Sequence, residues 1–147
     1  MKVRNIMTPS VETISPTHTI ADAAKMMGEM DVGALPVVDD GMLVGMITDR
    51  DIAIRGVGGG LHHGAPVLRV MSEDVETCRE DDDLDDVLDR MGQEQVRRMP
   101  VTAKDGGLIG IVSISDAARE GDDEEEVGEA LSSIARPSGR HCQTILA

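Results

Sequence analysis

The strongest constraint on this chain is that it is one pattern written twice. Setting residue n beside residue n+64 pairs Met7 with Met71, Val11 with Val75, Glu12 with Glu76, Thr13 with Thr77, Met27 with Met91, Val32 with Val96, Pro36 with Pro100 and Val37 with Val101. One inserted residue in the second copy then changes the offset to 65. The match resumes at Gly41/Gly106, Leu43/Leu108, Gly45/Gly110, Asp51/Asp116 and Ala53/Ala118. Ile20/Leu84, Ile47/Val112 and Thr48/Ser113 are conservative pairs between these identities. Chance does not give this, and the halves are two copies of one unit.

Each copy predicts the same element order, β-α-β-β-α. A short extended stretch (Val11 to Ile14; Val75 to Cys78) leads to a helix opened by Thr19 or Asp83. Each has an Asp three residues later, a capping-box-like start whose acidic first turn also suits the helix dipole. Ile20, Ala23, Ala24 and Met27 fall at i, i+3, i+4 and i+7, and Leu84, Val87, Leu88 and Met91 repeat the spacing. Two apolar runs around a Gly-containing turn, Leu35 to Val38 and Met42 to Thr48, predict a hairpin, and a final helix starts near Asp49.

Gly56 to Pro66 reads as a flexible connector. After Gly121, the acidic run Asp122 to Glu126 opens another helix with Val127, Ala130, Leu131 and Ile134 on one face, and Pro137 stops it. That stripe should pack on the module or on a partner subunit. Ser138 to Ala147 reads as a tail. The expected fold class is α/β (α+β), with the first unit at 1–60, the second at 61–120 and an acidic helix and tail at 121–147.

At 147 residues the chain can bury roughly 70% of its unfolded surface, so its core needs no disulfide or metal. Cys78 and Cys142 lie far apart without a CxxC spacing, which reads as two reduced thiols in a cytoplasmic protein. No signal peptide is expected, because Met1 to Met7 runs into Thr8-Pro9 without an apolar core. The longest apolar stretches, such as Met42 to Ile47, fall far below the ~20 residues that cross a bilayer. The net charge of −14 is concentrated in residues 67–147, which hold 20 acids against 9 bases. Such a field repels nucleic acid and anionic membrane. Phe, Tyr and Trp are absent, so any flat base must be gripped by aliphatic and Met side chains.

The candidate chemistry sits where the hairpin's second strand becomes a helix. Gly45-Met46-Ile47-Thr48-Asp49-Arg50-Asp51 and its copy Gly110-Ile111-Val112-Ser113-Ile114-Ser115-Asp116 each place a hydroxyl and a carboxylate three residues apart. The carboxylate can accept hydrogen bonds from a diol, while the hydroxyl and the N–H groups of a helix start can donate to a phosphate. The same spacing is an ordinary capping box, and in isolation it reads as one; its recurrence in both copies is what raises the binding reading. Arg97 and Arg98 form a cationic pair in the acidic half, and Arg50 stands beside Asp51. An arginine pair suits phosphate bidentately, or balances nearby acids at a solvated strand end. His62-His63 with Cys78, or with His141-Cys142, is a weaker candidate for a soft metal site, since no ligand spacing supports it. Glu80 to Asp86 lacks the pattern of a calcium loop. No GxSxG, HExxH, P-loop or nucleophilic Cys/His pair is present, so the chain is not expected to be an enzyme.

The strand motif Gly33 to Val38 (Gly-Ala-Leu-Pro-Val-Val), its copy Arg97 to Val101 and the two Gly-h-h-[Thr/Ser]-x-x-Asp segments, h being apolar, closely resemble the CBS domain family. The resemblance spans about residues 3 to 120, and stand-alone bacterial CBS pairs of the hypoxic-response type look most similar. It implies two units packed about a pseudo-two-fold axis with two clefts for adenosyl ligands. In one, Met46, Thr48 and Asp51 join Arg97, Arg98, Met99 and Pro100; in the other, Ile111, Ser113 and Asp116 join Gly33, Ala34, Leu35 and Pro36. It also implies a sensor that binds AMP, ADP or ATP, S-adenosylmethionine or NAD as a regulatory ligand and passes the signal to a protein partner. A ligand-free dimeric scaffold and a metal-binding protein are the alternatives.

A lone pair of such units leaves helix faces uncovered, and the resemblance implies that a second copy covers them. Sedimentation equilibrium at micromolar concentration should give a homodimer, and a monomer would contradict that expectation.

Overall fold

The computed structural model describes residues 1–137, and the expected tail, with His141 and Cys142, lies outside the described residues. Described in chain order, the elements are β1 (Thr8–Pro9), α1 (Ile20–Met30), β2 (Ala34–Asp39), β3 (Met42–Thr48), α2 (Asp49–Asp51, continued by a π-helical turn over Ile52–Val57), α3 (Leu84–Glu94), β4 (Arg98–Thr102), β5 (Leu108–Ser113), α4 (Ile114–Glu120) and α5 (Glu124–Ile134). The α+β class is as expected. The sheets are small: β2 and β3 form an antiparallel pair, and β1, β5 and β4 form a three-stranded sheet in that order.

Two compact units result, and each is assembled from separated stretches of chain. One contains Ser10–Thr77 with Thr102–Ile109; the other contains Met1–Pro9, Cys78–Val101 and the chain from Gly110 onward. The segment that precedes each repeat therefore packs with the opposite repeat.

In the first of these units, Ile14, Ile20, Ala23, Met27, Leu35, Val37, Ile47, Val67, Val70 and Met71 form one apolar cluster. Each large side chain so buried contributes about 1.5–3 kcal/mol. Thr19 opens α1 with a full capping box to Asp22. The apolar stripe of α1 is narrower than the spacing suggests: Ala24 is exposed, and Met26 packs against the cluster instead. The expected first strand shrinks to a single parallel bridge, Ile14 to Val37. Ile14 N donates to Pro36 O (3.0 Å) and Val38 N to Ile14 O (2.9 Å), but the next donors along the ladder would be Pro36 and Pro16, which have no N–H. The β2–β3 turn uses Asp40 and Gly41, both at positive φ (52° and 79°), as a tight two-residue hairpin requires.

The connector departs most from expectation. Val67–Arg69 is a 3-10 turn, and the preceding residues are stitched to the start of α1. Ala65 O accepts from Ile20 N (2.9 Å), His63 O accepts from Ala21 N (3.1 Å), and Leu61 N donates to Gly56 O (2.9 Å). The glycines serve a close-packed turn rather than a free hinge.

The second unit buries Val3, Ile6, Leu84, Val87, Leu88, Met91, Met99, Val101, Val112 and Ala117. Here the first strand is again one parallel bridge, Cys78 to Val101. Asp83 caps α3 by accepting from Asp85 N (3.0 Å) without the reciprocal bond that Asp22 makes to Thr19. The C-terminal helix α5 packs along α3 and buries Val127 and Ala130, while Leu131, expected on the same stripe, is 43% exposed. Gln95 Nε2 closes its end by donating to Ser133 O and Arg136 O, both at 3.1 Å. The apolar contact holds against charge. Desolvation and then Asp123 push the Asp85 carboxyl above its ordinary value, and desolvation and then Glu129 do the same to Glu126.

The repeat exposes a direct comparison. Gly28 of α1 and Gly92 of α3 are copies of one position, yet an added Cβ at Gly28 meets nothing within 4 Å while one at Gly92 lies 3.0 Å from Ser133 Cβ. Gly28→Ala should stabilise the protein by about 0.5–1 kcal/mol through helix propensity alone. Gly92→Leu should destabilise it by about 1–3 kcal/mol through overpacking against α5. Urea unfolding measures both, and equal effects at the two positions would contradict the docking of α5.

Candidate functional site

At the end of β3 the backbone of Thr48 is still extended (φ −118°, ψ 162°), and the chain turns into α2 at the next residue. Thr48 Oγ1 accepts from Asp51 N (3.0 Å) and Asp51 Oδ2 accepts from Thr48 N (2.9 Å), a reciprocal capping box. The other carboxylate oxygen, Oδ1, accepts from Arg55 Nη2 at 2.8 Å. Arg55 also donates to Ser72 Oγ (3.0 Å) and to Met71 O (3.4 Å). Beneath lies the Met46–Ser72 bridge, with Met46 N to Ser72 O at 2.9 Å and Ser72 N to Met46 O at 2.8 Å. The approach demands glycine at residue 45, where a Cβ would stand 2.6 Å from Ser72 O.

β2 carries the pre-proline segment along this junction. Ala34 pairs with Thr48, Leu35 with Ile47 and Pro36 with Met46. Gly33 O accepts from Asp49 N (2.9 Å), and a Cβ at Gly33 would lie 3.2 Å from Asp49 Oδ2. Leu35 and Pro36 are buried, Gly33 and Ala34 half-buried, and Arg50 exposed. This unit thus gathers Gly33, Ala34, Leu35, Pro36, Met46, Thr48, Arg50 and Asp51, with Asp49 as the nearest charge to Gly33.

The second unit repeats the construction with different electrostatics. Ser113 Oγ accepts from Asp116 N (3.1 Å), Asp116 Oδ2 accepts from Ser113 N (3.0 Å), and Arg119 Nη2 donates to Asp116 Oδ1 (2.8 Å). Ile111 pairs with Thr8, and a Cβ at Gly110 would stand 2.8 Å from Thr8 O. Arg97 O accepts from Ile114 N (2.8 Å), as Gly33 O does from Asp49 N. Met99 and Pro100 are buried, Arg98 is half-buried and Arg97 exposed. Among the described residues neither arginine forms an ion pair. The pre-proline segment is therefore basic in this unit, where the aspartate at 49 is replaced by the buried Ile114, and acidic-edged in the other.

Sequence reasoning missed Arg55 and Arg119. The signal was available: the offset of 65 that aligns Asp51 with Asp116 and Ala53 with Ala118 then reverts to 64 and aligns Arg55 with Arg119. One extra residue in the first copy explains both the reversion and the π turn, whose bonds close over five residues, as from Gly58 N to Ala53 O (2.9 Å).

Of the metal candidates, His141 and Cys142 lie outside the described residues. His62 Nδ1 accepts from Gly64 N (3.0 Å), and burial, then Asp82, pushes the Cys78 thiol up to about 12, which keeps it protonated. No group of three or more His, Cys, Asp and Glu is placed to hold a metal ion among the described residues. Among these residues, too, no helix is long and apolar enough to cross a membrane.

The model of the CBS domain matches residues 3–57 and again 67–123. The chain belongs to the CBS domain family. The CBS domain-containing protein YhcV of Bacillus subtilis is 41% identical over 133 residues, 90% of this chain and 94% of that one. Hypoxic Response Protein I, solved with two coordinated zinc ions, is 36% identical with a TM-score of 0.75, over 82% of this chain and 98% of that one. CBSX2 in complex with AMP is 28% identical with a TM-score of 0.71, over 80% and 93% of the two chains. The CBS domain pair of MJ0100, in complex with 5′-methylthioadenosine and S-adenosyl-L-methionine, is 29% identical with a TM-score of 0.74, over 81% and 98%. CBS pairs are in general regulatory modules that carry no catalysis of their own.

Both capping boxes hold a helix start in place, so removing either hydroxyl should cost stability. Thr48→Ala and Ser113→Ala should each destabilise by about 1 kcal/mol in thermal or urea unfolding, with Thr48→Ser close to wild type. A Thr48→Ala variant as stable as wild type would show that the junction does not depend on its cap.

Proposed function

We propose that the chain is a cytoplasmic, non-catalytic regulatory module, working as a homodimer, that binds adenosyl nucleotides. The observation that carries this reading is the strand-to-helix junction built twice, in which a mostly buried carboxylate is fixed on both oxygens and keeps acceptor positions to spare. Asp51 and Asp116 take the ribose hydroxyls as acceptors. Arg97 and Arg98, with no ion pair among the described residues, take the phosphate, and the aliphatic edge of the proline-bearing strands supplies the apolar surface for adenine. Solved relatives carrying AMP, 5′-methylthioadenosine and S-adenosyl-L-methionine support the ligand class.

The two copies differ in the charge they offer. Asp51 is read as the ribose residue of the tighter, phosphate-bearing site, following the pairing with Arg97 and Arg98 that the family resemblance implies. The Gly33 segment offers no cation and has Asp49 at its edge, which favours a neutral or cationic adenosyl compound such as S-adenosylmethionine. Turnover is not part of the reading: the residues offer acceptors for a diol and cations for phosphate, with no positioned base or nucleophile.

Dye-based thermal shift with AMP, ADP, ATP, NADH and S-adenosylmethionine tests the class, since a ligand at a hundred times its Kd adds about 2.7 kcal/mol to native stability. In titration calorimetry Asp51→Ala should remove the tight AMP site and Asp116→Ala should leave it. Arg98→Ala should weaken AMP roughly ten- to a hundredfold while adenosine binding stays near wild type. Loss of the tight site in Asp116→Ala alone would overturn the assignment.

A further inference from the structure

Within this reading, on which the inference rests, the surroundings of Asp51 are more demanding than capping requires. A carboxylate offers about four lone-pair positions. Thr48 N occupies one on Oδ2 and Arg55 Nη2 one on Oδ1, which leaves about two acceptor positions, the number a vicinal diol needs. The Asp51 side chain is 13% exposed, so its orientation decides what those positions meet.

Arg55 is tied on three sides. It donates to Asp51 Oδ1, to Ser72 Oγ and to the Met71 carbonyl, which joins the helix to the segment that bridges Met46. A half-exposed i,i+4 ion pair alone contributes little to stability. A guanidinium held by two further acceptors instead sets the carboxylate plane, because its donors form a rigid fork. The π turn assists: its bonds close over five residues, so the fourth residue after Asp51 falls just short of a full turn and returns beneath the carboxylate. In the other unit α4 is a regular helix. Arg119 sits at i+3, its side chain is 67% exposed against 48% for Arg55, and among the described residues it bonds Asp116 alone.

We propose that Arg55 is a positioning residue for ribose recognition: clamped by Ser72 and the Met71 carbonyl, it orients the Asp51 carboxylate toward a vicinal diol and ties that site to the Met71–Ser72 segment. Its counterpart Arg119 lacks the clamp. The prediction is a specificity effect, separable from loss of fold.

The test compares Kd values of AMP and 2′,3′-dideoxy-AMP by titration calorimetry on the full chain. Wild type should prefer AMP by about tenfold or more, the worth of a hydrogen bond to a charged group. In Arg55→Met the preference should collapse to within about threefold, because AMP weakens and the dideoxy analogue barely changes. Arg55→Lys should restore part of it. Ser72→Ala, which leaves Asp51 and Arg55 in place but loosens the clamp, should lower it by a smaller factor and serves if Arg55→Met fails to fold. Lys25→Met, an exposed change of the same charge, should match wild type. A wild-type preference that persists in Arg55→Met, or in Ser72→Ala and Arg55→Lys together, overturns this inference alone. Equal wild-type affinity for the two nucleotides overturns the ribose reading and this inference with it.

Discussion

The reciprocal hydrogen bond between a strand-end hydroxyl and the aspartate three residues on is the interaction on which the rest of this structure turns. It stops the hairpin at Thr48 or Ser113, starts the next helix and fixes the carboxylate rotamer in a single stroke. Structure and recognition need not be alternatives at such a junction. Capping and the arginine bond each consume one acceptor position of the carboxylate, and together they hold the remainder still, which is what a ligand with two hydroxyls requires.

A second constraint is the close approach of the lead-in segments. Gly45 and Gly110 exist because Ser72 O and Thr8 O lie where a Cβ would be, and those segments come from outside the repeat they support. Neither repeat completes its core from its own consecutive residues. Val67 and Val70 belong to the cluster around Ile20 and Leu35, while Val3 and Ile6 are buried in the unit that contains Leu84 and Met91. Packing of this kind makes the connector structural, which is why its glycines are bonded into place.

The duplication, the helices, the hairpins and both capping boxes were legible because each is written in local chemistry: spacing, a capping residue, a Gly at positive φ. What escaped depended on bonds between distant residues. The expected first strands at Val11 to Ile14 and Val75 to Cys78 became single bridges, and in the first copy prolines on both partners remove the donors that would extend them. Leu131 shares the helical spacing of Val127 and Ala130, but α3 covers only part of that stripe. Arg55 escaped because a π turn carries no propensity signature and shows itself only as a one-residue slip between the copies. Arg97 and Arg98 were visible at once, because two cations stand out in a chain of net charge −14.

Recognition by this protein depends on where an adenosyl ligand's ribose sits, and a crystal structure of the protein grown with AMP measures that most directly. The ribose 2′ and 3′ hydroxyls should lie within about 2.5–3.0 Å of a carboxylate oxygen of Asp51, with that carboxylate still bonded to Thr48 N and Arg55. AMP bound with its ribose away from both Asp51 and Asp116 would contradict ribose recognition by these carboxylates.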